Sequence, residues 1–304
     1  MNTTRVIFGF IVAVFVETKT PVWAQAQIDD NQKSVTSDPP IRLPQVVVLG
    51  TNVLHEEMLM GTNKQPVWTA RRRFATTRIY VQPTWQAETE FGWDSTYSRH
   101  DSPQHLLTQE VELGLPYRFQ LDYEAAEEIK GGHCRLASDS IELRWAVAEW
   151  GKIWLNPAIK AEWKINNGEA DAYEFSLALS DELAPRWHWG ANLFYEHQIG
   201  GDREIEYAGS LALSYTLLDE KLGAGFEMKL SDENDKDDRK AHLSFLIGPS
   251  VQWRPTKRTH LDIAPLFGVT GSAPAAEVFL FFGIEFGSGS KPAEGIESIS
   301  LHNK

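Results

Sequence analysis

The sequence predicts an all-β protein, a transmembrane antiparallel up-and-down β-barrel of about 12 strands. Three observations predict it. Across residues 77–286, apolar and polar residues alternate one by one in segments of about ten residues, the length of a tilted membrane strand. Aromatic residues gather near the segment ends, where a membrane meets water. Charged side chains hold the positions opposite the apolar face, so a closed barrel directs them into its interior.

The chain begins with Arg5, an apolar run over residues 6–16, and Ala24-Gln25-Ala26, the small-x-small form read by signal peptidase. Residues 1–26 are therefore expected to be a signal peptide. The run of about eleven apolar residues is too short for an anchor helix, which needs about twenty. Residues 27–76, polar and proline-containing at the start, are expected to be a largely irregular periplasmic leader. The cluster Arg71-Arg72-Arg73 within it is expected to be a solvated flank or to sit at the anionic membrane surface. Residues 77–286 form the expected barrel, and residues 287–304 a flexible periplasmic tail.

The first strand is read at residues 78–91, with Ile79, Val81, Trp85 and Ala87 toward lipid and Gln82, Gln86, Glu88 and Glu90 inward. The second, residues 105–114, sets Leu107, Val111 and Leu113 against Glu110 and Glu112. The third, 117–128, sets Tyr117, Phe119, Leu121 and Tyr123 against Arg118, Gln120, Asp122 and Glu124. The fourth, 140–149, turns Glu142 and Arg144 inward, and the fifth, 153–165, does so with Lys160, Glu162 and Lys164. The sixth and seventh, 170–180 and 186–196, carry Glu174, then His188, Asn192 and Glu196 on their wet faces. The eighth and ninth, 204–217 and 221–230, carry Glu206, Ser210 and Ser214, then Glu227 and Lys229. The last three lie at 240–253, 259–269 and 277–286, with Gln252, Asp262, Glu277 and Glu285 inward. Pro157, Pro249 and Pro265 each give up a ladder hydrogen bond and are expected at bulges or rims.

Connections sort by parity. Those at residues 115–116, 150–152, 181–185, 218–220 and 254–258 are tight, whereas 92–104, 130–139, 166–169, 200–203, 231–239 and 270–276 are mostly longer, polar or glycine-rich. Outer-membrane barrels pair short periplasmic turns with longer outer loops, which puts both termini in the periplasm.

Composition agrees. Mean hydropathy is −0.33, because alternation cancels the average. A formal charge of −13 argues against a nucleic-acid partner, which calls for a basic surface. Eleven tryptophans suit interfacial belts, and the single cysteine, Cys134, allows no intrachain disulfide.

The segment Val278-Phe279-Leu280-Phe281-Phe282-Gly283-Ile284-Glu285-Phe286 resembles the closing strand that bacterial outer-membrane β-barrel proteins present to the insertion machinery, although here a tail follows it. Over residues 77–286 the chain is similar to small porin- or transporter-like barrels of this kind. The resemblance implies a location in the bacterial outer membrane, with membrane lipid, barrel-insertion machinery and a small solute as partners. A further stretch, Leu43-Pro44-Gln45-Val46-Val47-Val48-Leu49-Gly50, resembles the segment that opens the plug of TonB-dependent receptors. It lacks the glutamate usual there, and too little chain follows it for such a plug domain.

The expected function is a channel or passive transporter for a small polar or ionic solute. Its candidate selectivity residues line the lumen: Glu88, Glu90, Glu110, Glu112, Arg118, Asp122, Glu124, Arg144, Lys160, Lys164, Lys229 and Glu285. Closing the barrel sets the last strand beside the first three, giving an acidic wall that favours cations. The same ions pairing across the lumen would instead give a non-conducting structural or adhesin-like barrel. A lipase or protease is the remaining alternative. His197 faces outward with no outward serine, and Arg99-His100-Asp101-Ser102 is a rim constellation of adjacent residues, so no enzyme is expected. The nine histidines are scattered without ligand spacing, and neither metal nor cofactor is expected.

Overall fold

The computed structural model describes residues 55–57, 59–70, 72–201, 203–234 and 242–287. Within them, twelve antiparallel strands form a closed barrel. They are β1 (Ala87–Tyr97), β2 (Gln104–Leu115), β3 (Phe119–Lys130), β4 (His133–Ala146), β5 (Ala158–Asn166), β6 (Ala172–Ala184), β7 (Trp187–Gln198), β8 (Ile205–Leu218), β9 (Leu222–Asn234), β10 (His242–Thr256), β11 (Thr259–Gly268) and β12 (Ala276–Phe286). Each strand pairs with the next in the chain. The ring closes where β12 meets β1, from Ala276↔Tyr97 to Phe286↔Ala87. Closure leaves no edge, so backbone donors and acceptors are satisfied without water.

Burial is inverted relative to a water-soluble protein. Phe91, Val111, Ile141, Trp163, Phe175, Leu211, Phe226 and Phe267 are 43–60% exposed on the outer wall, while the alternating Glu88, Asp122, Glu142 and Glu227 are at most 8% exposed inside. Two aromatic groups mark the wall at different heights. Tyr195 lies 6.3 Å from Tyr173 and 5.4 Å from Tyr207 near one end of their strands. Near the other end, Phe119 stacks on Trp145 at 6.0 Å and Trp187 meets Tyr215 at 5.0 Å. Rings at both heights match the amphipathic boundary of a bilayer.

The structure corrects the first strand. The wall begins at Ala87, so residues 78–86 are not part of it. Ile79 and Val81, expected to face lipid, are 4% and 1% exposed inside the barrel, whereas Tyr117, also assigned to a strand, is 83% exposed in the turn Pro116–Arg118. Three connections differ as well, the first being the expected loop 92–104, which is strand up to Tyr97 and so brings Asp94 into the wall. The expected loop 130–139 is strand down to a two-residue turn through Gly131 and Gly132, whose φ values of 58° and 81° favour glycine. The expected tight turn 150–152 belongs to a longer connection over residues 147–157. Pro157 sits at the rim before β5, as expected. Pro249 and Pro265 are mid-strand, not bulged. The register from Ile247↔Phe267 to Val251↔Ile263 sets them opposite one another, which confines both missing donors to one gap between β10 and β11.

The described part of the expected leader is not free in the periplasm but lies within the ring. It runs through a 3-10 turn at His55–Glu57, a short ribbon pairing Leu59–Met60 with Gln65–Pro66, a 3-10 turn at Val67–Ala70, and irregular chain up to β1. Trp68, Phe74 and Ile79 cluster with Ala212 and Trp150, and Tyr80 and Val81 with Ala146, Ala158 and Ala178. Small inward alanines make the space these large side chains fill. The signal-peptide region, residues 43–50 and the tail from 288 lie outside the described residues.

Candidate functional site: the charged lumen

An irregular backbone inside a barrel needs its polar groups answered, and the wall's inward side chains answer them. The Asn192 amide accepts from the Arg78 backbone N–H at 2.7 Å and donates to its carbonyl at 2.6 Å. Glu227 accepts from the N–H groups of Ala75 and Thr76 at 2.9 and 2.7 Å, and from the Thr76 hydroxyl at 2.6 Å. Gln120 accepts from the Gln82 N–H at 2.6 Å, and Ser180 donates to the Ile79 carbonyl at 3.1 Å. Replacing Glu227 by Leu strands those buried donors, at about 1–3 kcal/mol per group. The expected result is faster proteolytic cleavage within residues 70–80 of the folded protein, with Glu227→Gln intermediate; equal cleavage rates would contradict this docking.

Cations anchor the same segment. Arg73 donates to Ser214 at 2.9 Å and Thr216 at 2.7 Å and pairs with Glu56 at 3.0 Å. Arg72 pairs with Glu90 at 2.8 Å and lies 3.8 Å over the Phe281 ring. Arg78 reaches Glu110 at 2.5 Å, Glu112 at 2.8 Å and Glu90 at 3.6 Å. The arginine cluster is thus neither a solvated flank nor a membrane anchor in the two members described, Arg72 and Arg73; both are buried.

Strand register assembles the inward carboxylates into one row. Glu285 pairs with Glu88, Glu88 with Glu112, Glu112 with Asp122, Asp122 with Glu142, and Glu142 with Glu162. The row continues through Glu174, Glu196 and Glu206. Because barrel strands tilt, a row of directly paired residues climbs as it goes round. This one starts beside the chain's entry into β1 and reaches the opposite end of β7 and β8. Cations interleave with it. Arg144 contacts Glu142 closely and lies 3.7 Å from Asp122. Lys160 bridges Glu142 at 3.0 Å with Glu162 and Glu174 at 2.8 Å, and Lys164 bridges Glu174 at 3.3 Å with Glu196 at 2.5 Å. Arg254 meets Glu285 at the lower end.

Between segment and wall lies a cavity of about 280 Å³. Arg72 and Arg78 form part of its lining. Its carboxylates, Asp94, Glu110, Asp122, Glu124, Glu142, Glu162 and Glu174, outnumber its cations, which are those two arginines with Arg144, Lys160 and Lys164. Phe194 and Phe281 add aromatic faces.

The predicted lumen residues divide accordingly. Glu110, Asp122, Glu124, Arg144, Lys160 and Lys164 line the cavity. Glu88, Glu90 and Glu112 are at most 2% exposed, against the segment or beneath it. Lys229 pairs with Glu277 at 3.0 Å and is not itself part of that lining. Glu285 is held by Arg254. Arg118 is a correction: it belongs to the turn Pro116–Arg118, where its Nε donates to the Ala146 carbonyl at 3.1 Å, and it does not line the cavity. Proline at the turn's first position ends the strand pattern that had placed it inward.

Sequence reasoning missed Arg254 and His260. Each lies two residues from an inward residue, Gln252 and Asp262, so period two was the available signal. His260 presents Nδ1 to Asp262 and Nε2 to Glu88 in close contacts. Glu88, Glu90 and His260 thus offer ligand atoms within 4.8 Å of one another, a grouping that linear spacing hides because β1 and β11 supply it. Each ring nitrogen already faces a carboxylate, and Glu90 faces Arg72, which is the pattern of an ion-paired imidazole. A serine–histidine pair was missed too. Ser95 and His105 are directly opposed on β1 and β2, on the outward phase with Trp93 and Tyr97, and Ser95 Oγ lies 2.8 Å from His105 Nδ1.

No protein-family model matches the chain, and no curated protein does. Solved structures match it. An outer-membrane channel from Pseudomonas putida F1 superposes with a TM-score of 0.50 at 11% identity, over 68% of this chain and 97% of that one. The NanC porin gives 0.47 at 12% identity, over 66% and 100%. The KdgM porin in complex with disordered oligogalacturonate gives 0.42 at 8%, over 67% and 99%. The likeness is one of fold, the closed barrel of outer-membrane proteins.

Proposed function

We propose that the protein is an outer-membrane channel for a small polar or ionic solute, whose narrow charged lumen is obstructed by its own segment over residues 55–86 in the state described. The observation that carries this reading is the cavity of about 280 Å³ enclosed by a lipid-facing barrel and lined by seven carboxylates against five cations. A lumen of that polarity orients solutes by charge and enriches cations at its acidic side. Both termini are placed in the periplasm on this reading, because the segment enters and β12 ends at the barrel end with most of the short turns.

The test is single-channel recording in a planar bilayer. Ion steps with cation preference are expected. Replacing Glu88, Glu90, Glu110 and Glu112 together by Gln should lower that preference and, because three of them hold Arg72 or Arg78, raise the open probability. Electrical silence of both proteins would reject the channel. A non-conducting barrel is the second reading, favoured by the dense docking of the segment on the wall.

The protein is read as non-enzymatic. Ser95 is 3% exposed, and His105 meets it through Nδ1, the nitrogen that an orienting acid ordinarily holds. Backbone N–H groups beside it belong to the ladder and are not free to stabilise an oxyanion. Phospholipid hydrolysis that disappears in Ser95→Ala would overturn this.

A further inference from the structure

We infer that the floor formed by Glu90, Glu110 and Glu112 is a binding site for small cations bearing a guanidinium or amine group, and that Arg78 occupies it in this structure as a tethered stand-in. The inference rests on the channel reading and names the class of its solute. Three observations support it.

Arg78 sits among three carboxylates from two neighbouring strands, its Nη2 2.5 Å from Glu110 and 3.6 Å from Glu90 and its Nη1 2.8 Å from Glu112. A planar fork held at both terminal nitrogens is the geometry that selects guanidinium over a compact cation. The floor opens to the cavity at Arg78 and Glu110. Arg78 retains 23% side-chain exposure and lines the cavity; of the segment's two other arginine anchors, Arg72 lines it at 7% and Arg73, at 2%, does not.

Occupancy by Arg78 leaves two carboxylates of the cavity without a direct partner, with Lys229 the cation nearest in effect to Asp94 and Lys164 and Lys160 facing Glu124 at longer range. Asp94 and Glu124 line the same cavity, and neither makes a hydrogen bond or ion pair at bonding distance among the described residues; the Asp94 Oδ1 atom is buried without a partner. A solute with a second cationic group reaching beyond the floor meets these carboxylates, with the Phe281 and Phe194 rings beside them. A free cation must compete with Arg78, whose tether gives it an effective concentration in about the millimolar range. Wild-type protein is therefore a weak binder, and removing the tethered group exposes the site's own affinity.

The experiment is isothermal titration of the purified full-length barrel with agmatine, which carries a guanidinium and an amine. Arg78→Ala should bind agmatine at least about tenfold more tightly than wild type. Adding Glu110→Gln and Glu112→Gln to Arg78→Ala should abolish the gain, and acetate should not bind in agmatine's place. Equal affinity of Arg78→Ala and wild type, or a gain that survives the two Gln substitutions, would overturn the assignment. If Arg78→Ala fails to assemble, judged by heat-modifiable gel mobility, the Gln pair is introduced into the otherwise wild-type chain, where residual agmatine binding should weaken; unchanged binding there overturns it equally. Binding is read without conductance, so a barrel that binds agmatine yet never conducts rejects the channel reading and leaves the site standing.

Discussion

Deleting residues 55–82 is expected to raise single-channel conductance by about tenfold or more, because the obstruction is a piece of chain and not a property of the ring. The twelve strands pair with one another, from β1–β2 round to β12–β1, and the backbone bonds that tie the segment's end to β2, between Trp85 or Gln86 and Gly114, lie outside the deleted residues. Side chains that lose the segment, such as Asn192, Glu227 and Gln120, face a lumen that fills with water, so their polar groups are answered again. The barrel should therefore assemble, with unchanged heat-modifiable mobility. Its carboxylate row would remain, so the larger current should keep a cation preference. Identical conductance with and without the segment would show that solute passes elsewhere or not at all.

The second large effect is expected from Gly225→Val, which should abolish the folded, heat-modifiable form. Gly225 pairs with Ser214, and a Cβ at Gly225 would lie 2.0 Å from the Leu213 carbonyl oxygen and 2.8 Å from the Ser214 Cα. Both atoms are backbone of the neighbouring strand, so no side-chain rotation relieves the clash. Strand β9 would have to leave β8 locally, and each backbone group left unpaired in hydrocarbon costs about several kcal/mol. Gly271→Val is the matched control, since nothing stands within 4 Å of a Cβ there, and it should assemble normally. Folded Gly225→Val with wild-type mobility would show that the strands approach less closely than described.

The alternation that identified the wall also misled at its beginning. Arg78-Ile79-Tyr80-Val81-Gln82 has the period of a strand, and a period-two pattern records only that successive side chains point in opposite directions. In a wall strand the apolar side meets lipid. In the segment, Ile79 packs with Trp68 and Phe74 while Arg78 meets Glu110 and Glu112. Both environments reward the same pattern, and only the wall's position separates them. Too little chain follows residues 43–50 for a plug domain, yet the described residues between 55 and 86, largely without regular structure, obstruct this lumen because inward alanines and polar side chains receive them.

Arg118 and His260 show where a face assignment fails. Arg118 followed the inward phase of its strand, but Pro116 and the turn remove it from the ladder. His260 has the inward phase, but its partner Glu88 lies far away in the chain, on the other side of β12.

By itself, the amino-acid sequence determined that this chain makes strands with one dry and one wet face, about how many there are, and the inward face of most wall carboxylates, though not of Asp94, which fell in an expected loop. These follow from the two-residue period of extended backbone and from the demand that a membrane wall be apolar outside. Tertiary structure alone decided that Glu285, Glu88, Glu112, Asp122, Glu142 and Glu162 adjoin in one climbing row and that Arg78 fills the floor between Glu110 and Glu112. Register and lumen occupancy arise from pairings between distant parts of the chain, which no local pattern encodes.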